Sequence, residues 1–427
     1  MKRAISLFLV LALTLGIASA AFAAPKDLDG LSDRKITIHP AGLNEEPEAL
    51  IAQGISPTTG RQLAGIEIRE GALGVAVTGI YQPIMVQISN SNNGVGTYPG
   101  TGAKSGEPYR FAPVNGGCAD VVYEALQKRG GSETRMSMIF SDVIPDYAGF
   151  VRSTRLTHCR IRQEWECAFC TSGYTPKDVP KEWNDLGVPN PAGKRTVDDP
   201  GIAYVGDLKA TKPWGPYVFR MYPYQSPNNE VFNLTGLLNN IIPKDHKAAN
   251  HTWKFTDDLP SGGDSGEVVY VTFGGKETTN SRLEYNPDTN GYIRYVAYGK
   301  QGDLPYCENV LTGAEVKKVK DTKGTMAERL TVEGMDVGDP IIFNNVIIQS
   351  IVMKWKGFSR PDPQLVGTGN ADYFMGGVHL SGVWNRDDVN SRTVFYGPDG
   401  NEIELQRGRT LIILMDYSDK KTSVQYE

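Results

Sequence analysis

CADVVYEALQKRGGSETRMSMIFSD, residues 118–142, joins two different hydrophobic patterns in one short stretch. In its first part Val122, Ala125, Leu126 and Arg129 recur at helical spacing, and Gly130 is a typical C-terminal stop. In its second part, residues 134–142 alternate between apolar and polar side chains, which is typical of a strand. The stretch therefore predicts a helix over residues 118–131 that is followed by a strand.

The sequence upstream completes this pattern. QPIMVQISNS, residues 82–91, has the composition of a short buried strand that ends in a polar turn. A strand, a helix and a second strand in this order predict an N-terminal domain of α/β or α+β class over residues 81–255. A turn-rich segment, residues 24–80, precedes this domain.

The composition changes after residue 255. TDDLPSGGDSGE, residues 256–267, is rich in Gly, Ser, Asp and Pro and is typical of a linker. Four runs rich in β-branched and aromatic residues follow, separated by turn sequences: VVYVTFGG (268–275), GYIRYVAYG (291–299), PIIFNNVIIQSIVMKW (340–355) and RTLIILMDY (409–417). These runs predict a mainly β C-terminal domain over residues 268–420.

The first 23 residues have the layout of a secretory signal peptide. Lys2 and Arg3 precede an apolar run, and small residues allow cleavage after Ala20 or Ala23. An uncleaved membrane anchor is the alternative, although the run is shorter than the roughly 18 residues that span a bilayer. The first cysteine, Cys118, lies far from either cleavage point. We expect an extracytoplasmic protein, secreted or associated with the cell envelope, with no lipid anchor and no transmembrane segment after cleavage.

The overall charge limits the classes of partner. The net charge is −5, and loss of Lys2 and Arg3 makes it more negative. This balance argues against nucleic acid and against an anionic membrane surface as the main partner. The sequence has no Walker loop, dinucleotide fingerprint or calcium loop, so no cofactor is predicted.

GFVRSTR, residues 149–155, is the strongest candidate for a site. Arg152 and Arg155 are three residues apart and flank Ser153, so a helical or turn geometry projects both to one side. Two guanidinium groups on one side can grip a carboxylate or phosphate, and a helix capped by Ser153 would add backbone N–H donors. In the structural alternative, the arginines pair with acidic residues of the same domain: Asp120, Glu124 or Asp142.

Two further candidates carry weaker signals. Asp120 and Glu124, four apart on the predicted helix, share a face. Catalytic carboxylates of glycosidases usually come from different elements, so a salt-bridge role is favoured for these two. His379, in GGVHLSGVW, is either the partner of a nucleophile or a structural histidine.

Three of the five cysteines, Cys159, Cys167 and Cys170, fall within twelve residues beside His158. A zinc site usually needs four ligands, and adjacent residues such as His158 and Cys159 rarely both ligate one ion, so no metal site is predicted. Cys167 and Cys170 are a disulfide candidate if the helix expected over residues 155–168 distorts at its end. Buried free thiols are the alternative.

Several of these segments together resemble the YerB-type family of extracytoplasmic bacterial proteins, which has an N-terminal and a C-terminal part and no assigned biochemical activity. The matching segments are SPTTG (56–60), PIMVQISNS (83–91), ADVVYEALQKRGGSETRMSMIFSD (119–142), GFVRSTR (149–155), YNPDTNGYIRYVAYG (285–299), NNVIIQ (344–349), GGVHLSGVWNRDD (376–388) and DGNEIELQRGRTLIILM (399–415). Asn90, which ends a matched strand, is a further ligand-binding candidate beside Arg152, Ser153 and Arg155, which lie in the matched turn. The chain departs from the family in lacking a lipid-bearing cysteine and in having CTSGYT (170–175) where the family has a histidine-containing stretch.

Three hypotheses for function follow. The first is a non-enzymatic cell-envelope protein that binds a partner protein or an anionic envelope ligand. The second is an envelope hydrolase or acyl-transfer enzyme whose site lies between the domains and uses Arg152, Arg155 and His379. The third is a scaffold without a small-molecule site. Arginines and His379 in one cleft would favour the enzyme, and a distant His379 would favour binding.

Overall fold

The computed structural model describes residues 25–30, 33–42, 44–90, 113–131, 133–186, 204–205, 214–222, 229–274, 280–297, 303–320, 324–419 and 421–427. The predicted signal peptide, residues 1–23, lies outside the described residues.

The described part of the chain is built mainly from strands. Its α-helices are α1 (Pro47–Ala52), α2 (Val75–Thr78), α3 (Leu156–Trp165), α4 (Val179–Asp185) and α5 (Leu234–Asn240). The strands of the first half are β1 (Lys26–Asp27), β2 (Ile84–Asn90), β3 (Val121–Leu126), β4 (Thr134–Phe140), β5 (Tyr147–Gly149), β6 (Ala168–Ser172), β7 (Tyr204–Val205), β8 (Val218–Tyr222), β9 (Glu230–Asn233) and β10 (Lys254–Thr256). The later strands are β11 (Asp264–Ser265), β12 (Val268–Thr272), β13 (Ser281–Asn286), β14 (Gly291–Ala297), β15 (Asp303–Pro305), β16 (Cys307–Thr312), β17 (Glu315–Lys320), β18 (Met326–Thr331), β19 (Gly334–Pro340), β20 (Ile342–Phe343), β21 (Asn345–Ile351), β22 (Met353–Trp355), β23 (Pro361–Pro363), β24 (Gly367–Met375), β25 (Val378–Arg386), β26 (Val394–Tyr396), β27 (Glu404–Gln406), β28 (Thr410–Asp416) and β29 (Ser423–Tyr426).

The helix predicted over residues 118–131 is wrong, because this stretch forms β3 and its turn. All six residues of β3 are buried, so both faces of the strand are covered. A strand buried on both sides shows a continuous apolar run without alternation, which periodicity alone cannot separate from a helix. Gly130 and Gly131 have φ of +80° and +73° and supply the turn into β4 instead of ending a helix. The strands predicted over residues 82–91 and 134–142 are confirmed as β2 and β4.

A sheet of eleven described strands forms the centre of the protein. Its order is β11-β25-β24-β21-β28-β3-β4-β2-β6-β7, with β26 paired to β25. β3 runs parallel to β28, from Val121 opposite Thr410 to Ala125 opposite Leu414, and antiparallel to β4. The predicted N-terminal and C-terminal domains therefore meet at the middle of one continuous sheet. A five-stranded sheet, β17-β18-β8-β9-β5, also combines strands of both.

The two faces of the large sheet are covered differently. One face packs against a seven-stranded sheet of β1, β29, β12, β13, β14, β15 and β20, through buried residues such as Val86, Val122, Val269 and Leu283. The other face packs against α3 and α4, where Trp165 and Trp183 are fully buried. The first half is thus mixed and the second half mainly β, as the sequence predicted.

The division into residues 81–255, 256–267 and 268–420 stays a prediction. Within the predicted linker, Asp264 and Ser265 form β11 and pair with β25 of the large sheet. Part of a segment with linker composition therefore lies in regular structure.

The candidate disulfide between Cys167 and Cys170 is not formed in the structure. All five cysteines are free thiols. The helix ends at Trp165, and Cys167 and Cys170 then pack in different hydrophobic clusters, on opposite faces of the large sheet. Because neighbouring side chains of an extended strand point to opposite faces, residues three apart cannot bring their sulfur atoms together.

We predict that neither half of the chain folds alone. Residues 24–255 would leave the β3 edge of the central sheet unpaired, and residues 256–427 would leave the β28 edge unpaired. Near-ultraviolet circular dichroism and urea unfolding of each half should show no cooperative transition, whereas residues 24–427 and the two halves co-expressed should show one. Cooperative unfolding of either half by itself would contradict this expectation.

Candidate functional site

Several arginines lie on and around the GFVRSTR segment, beside β2 and β6 of the large sheet. Arg152 donates its backbone N–H to Gln87 O at 2.8 Å, and its carbonyl accepts the N–H of Ser172 at 3.1 Å, so the segment lies between β2 and β6. Arg155, not Ser153, is the N-cap residue of α3, because the backbone is still extended at Arg155. Ser153 therefore does not cap this helix.

We call Arg135, Arg152, Arg155 and Arg220 the arginine cluster. Arg135 is buried on β4, forms an ion pair with Glu133 at 3.3 Å and donates to the carbonyl oxygen of Ser153. Arg220 on β8 pairs with buried Glu230 at 3.4 Å.

Arg155 is held by backbone carbonyls. Its Nε donates to Ser359 O at 3.1 Å and its Nη1 to Thr154 O at 2.8 Å. Among the described residues no carboxylate lies within 4.0 Å of its guanidinium group. The charge of Arg155 is therefore positioned but not neutralised.

The arginines lower each other's pKa. Burial and the charges of Arg155 and Arg152 lower the pKa of Arg135 to about 9, against the opposing effect of Glu133. Burial also lowers the pKa of Arg152 and of Arg155, and again Glu133 opposes it. Glu133 acts on all three guanidinium groups and Glu230 acts on Arg152, so the three arginines outnumber the carboxylates that act on them.

His158, in the first turn of α3, adds no charge to this excess. Its Nδ1 accepts the backbone N–H of Arg155 at 3.0 Å. Burial and the charges of Arg135 and Arg155 hold its pKa well below the usual value. A neutral imidazole that is already engaged at Nδ1 fixes the start of the helix.

Asn90 and Glu124 lie together, but on the opposite face of the sheet from Arg135. Glu124 Oε1 accepts from Asn90 Nδ2 at 2.8 Å and from Thr134 Oγ1 at 2.7 Å. Arg294 of β14 forms an ion pair with Glu124 at 3.0 Å, with both side chains fully buried. Removing one partner of such a pair typically costs about 3–5 kcal/mol. The role is structural, and the arginine that pairs with Glu124 is neither Arg152 nor Arg155.

Asp120 belongs to a third location, before the first residue of β3. Its Oδ2 accepts the backbone N–H groups of Ser141 and Asp142, at 2.7 and 2.8 Å. Asp142 in turn accepts the hydroxyl groups of Ser56 and Thr59, both at 2.6 Å. The two carboxyl groups therefore lock the SPTTG loop onto the sheet.

His379 is buried on β25 and bonded to a carboxylate. Its Nε2 lies 2.8 Å from Asp372 Oδ1, and its ring packs on Phe374 and Tyr426. Six strand spacings, roughly 29 Å, separate β25 from β2, beside which Arg152 lies. The candidates Arg152, Arg155 and His379 do not share a cleft.

A cleft of about 700 Å³ lies elsewhere, between the predicted linker and residues 397–403. Leu259, Pro260 and Leu380 line it, together with Glu402, which pairs with Arg392 at 2.7 Å. No candidate residue from the sequence lines this cleft. The described residues contain no cluster of metal-binding side chains, and none of their helices is long and apolar enough to span a membrane.

Sequence reasoning missed Arg135 and Glu133. Arg135 stands in the Thr-Arg pair that opens β4, within one of the segments that carry the family resemblance. The Thr-Arg pair was the signal available in the sequence. Only the pairing of β4 with β2, which places Arg135 opposite Ser89, brings Arg135 beside the GFVRSTR segment.

We predict that Asp120→Asn gains stability relative to the wild type as pH rises. Burial, followed by the charge of Asp142, raises the pKa of Asp120 well above its usual value, and Arg409 opposes this. A raised carboxyl pKa gives stability that is present at low pH and lost as pH rises from about 4 towards the folded-state value. Asparagine keeps an acceptor for the two N–H groups and cannot ionise. Urea unfolding across a pH series measures the difference.

The control for this experiment is Asp288→Asn, at an exposed turn position. The difference in the free energy of unfolding between Asp288→Asn and the wild type should be the same across the pH series. If Asp120→Asn also ran parallel to the wild type at every pH, the inference that burial raises the pKa of Asp120 would be wrong.

The chain is similar to YerB protein from Bacillus subtilis, whose crystal structure it matches with a TM-score of 0.55 at 17% identity, over 87% of this chain and 99% of that one. At this identity the likeness shows a shared fold alone. None of the curated proteins matches the chain.

Two family domains match in the order that the sequence resemblance predicts. Residues 117–239 match the N-terminal domain, and residues 269–412 the C-terminal domain, of a family described as "Protein of unknown function (DUF3048)". Together they cover more than half of the chain, and the resemblance to YerB-type proteins is confirmed. The chain belongs to the DUF3048 family of YerB-like proteins.

Proposed function

We propose that this protein is an exported, non-enzymatic binding protein of the bacterial cell envelope that holds an anionic group at the arginine cluster. The observation that carries the proposal is the excess of guanidinium groups over carboxylates around Arg135, Arg152 and Arg155. Arg155, whose charge no described carboxylate pairs with, is anchored by the carbonyl groups of Thr154 and Ser359. An anion bound there would neutralise buried charge and raise the lowered pKa values again.

The distance to His379 supports binding over catalysis. A hydrolase or acyl-transfer site would need a nucleophile, a base and the arginines within hydrogen-bond reach of one substrate. His379 lies about six strands away and is engaged with Asp372. His158 lies near the arginines, but its Nδ1 is occupied by a backbone N–H.

The location is proposed from residues 1–23. We expect N-terminal sequencing of the protein released by a bacterial host to begin at Ala21 or Ala24, because small residues precede both positions. Reversing the charges of Lys2 and Arg3 to glutamate should retard processing, which provides the control. Recovery of protein that retains Met1 in the cytosolic fraction alone would contradict export.

The anion site is tested by the thermal stability of the mature chain in sodium sulfate and in sodium chloride at equal ionic strength. A ligand that binds only the folded state stabilises it by about 2.7 kcal/mol at a concentration of 100 Kd. We therefore expect sulfate to raise the Tm of the wild type more than that of the Arg152→Ala, Arg155→Ala double variant. The comparison of variants is needed because sulfate also stabilises proteins by exclusion from their surface.

The matched control is Arg282→Ala. Arg282 is a partly exposed arginine on β13, in the other sheet, where it pairs with Glu284 at 2.8 Å. The Tm of Arg282→Ala should rise in sulfate by as much as the Tm of the wild type. An equal rise in Tm in all three proteins would show that the arginine cluster is not an anion site.

A further inference from the structure

The balance of charge at the arginine cluster distinguishes between classes of anion. Arg135, Arg152, Arg155 and Arg220 face two buried carboxylates: Glu133 acts on the first three, and Glu230 acts on Arg152 and Arg220. Lys128 is a further cation, 2.5 Å from Glu133. The described side chains therefore carry at least two positive charges beyond the carboxylates. A carboxylate ligand would neutralise one of them and a dianion would neutralise two.

Two buried side-chain atoms of Arg135 and of the first turn of α3 have no hydrogen-bond partner among the described residues. Arg135 is 4% exposed, and its Nε finds no acceptor among the described residues. Thr157 is fully buried in the first turn of α3, and its Oγ1 likewise has no partner there. The ten-residue helix α3 begins at this place, and its dipole adds positive potential where Arg155 caps it. The guanidinium groups that act on one another, together with the free Nε of Arg135, favour a group with several acceptor oxygens.

An exposed aromatic side chain marks the rim of the cluster. The backbone N–H of Arg129 donates to Phe358 O at 2.9 Å, and Arg155 Nε donates to the next carbonyl, Ser359 O, at 3.1 Å. These contacts fix the loop against the cluster, while the Phe358 side chain remains 65% exposed. An apolar surface next to an anion site favours a ligand with an organic group attached to the anion.

We propose that the ligand of the arginine cluster is a phosphate monoester, with its dianionic phosphoryl group among Arg135, Arg152 and Arg155 and its organic substituent against Phe358. This inference rests on the proposed function and specifies the ligand class of the same site. A phosphate monoester carries close to two negative charges at neutral pH and three acceptor oxygens, which matches both the charge excess and the free donors. Guanidinium groups bind such oxygens in bidentate pairs.

The test is calorimetric titration of the mature chain with phenyl phosphate, inorganic phosphate, sulfate and benzoate at about pH 7.5 and about pH 5. The second pKa of a phosphate monoester is about 6, so the affinity for phenyl phosphate should fall roughly tenfold at the lower pH. The affinity for inorganic phosphate, whose second pKa is higher, should fall further. The affinity for sulfate, which remains a dianion, should not fall. Benzoate should bind at least about tenfold more weakly than phenyl phosphate, since one charge and one acceptor oxygen are missing.

Variants separate the two parts of the ligand. Phe358→Ala should lower the affinity for phenyl phosphate about three- to tenfold, to that of inorganic phosphate, and leave inorganic phosphate unchanged. Arg155→Lys keeps the charge but loses the bidentate geometry, and should weaken both phosphates alike. Arg282→Ala should change neither affinity.

The outcomes are distinguishable. If benzoate binds as tightly as phenyl phosphate and Arg155→Lys weakens both, the anion site stands and the phosphate inference is overturned. If phenyl phosphate and inorganic phosphate bind with equal affinity, or Phe358→Ala leaves the affinity for phenyl phosphate unchanged, the inference that the ligand is a monoester is overturned. If none of the four anions binds, the proposed function fails together with the inference.

Discussion

The structure depends on the main-chain hydrogen bonds between β3 and β28. These bonds join residues 121–125 to residues 410–414, almost three hundred positions apart in the chain, at the middle of the largest sheet. Both strands are buried on both faces, so neither could present its backbone groups to water without a large desolvation cost. The buried Glu124–Arg294 pair and the β8–β18 pairing fasten the same two parts of the chain elsewhere. The family's two domains are therefore sequence units, but their strands build shared sheets.

This architecture explains why the arginine cluster can hold its charge. Its side chains come from β4, from the segment between β5 and α3, and from β8. Their anchors are largely backbone carbonyl oxygens, those of Ser153, Thr154 and Ser359, and a carbonyl orients a guanidinium group without cancelling its charge. The rigid sheet thus supports a local electrostatic cost that an unconstrained surface would relieve by moving the side chains apart.

The sequence predicted individual strands better than it predicted which strands and side chains pair with each other. A short apolar run identified β2, alternation identified β4, and β-branched runs identified the C-terminal strands, because each signal is local. β3 was assigned to a helix because full burial on two faces removes the alternation of a strand. The pairing of Glu124 with Arg294 and the approach of Arg135 to Arg155 depend on strand order, which no spacing along the chain reveals. Arg152 and Arg155 were found because they share one short turn, and Asn90 was found only through the family pattern.

The position of β28 has a consequence for the order of folding. Its seven residues follow β3 by almost three hundred positions, yet the strand occupies the centre of the sheet, with β21 on one side and β3 on the other. The central layer cannot close until residues 410–416 are available, and contacts of such long sequence separation form slowly. In a chain made from its N-terminus onward, β3 would lack this partner until β28 has been made. That delay suits a polypeptide that has to be threaded through a membrane before it folds, as the proposed export requires.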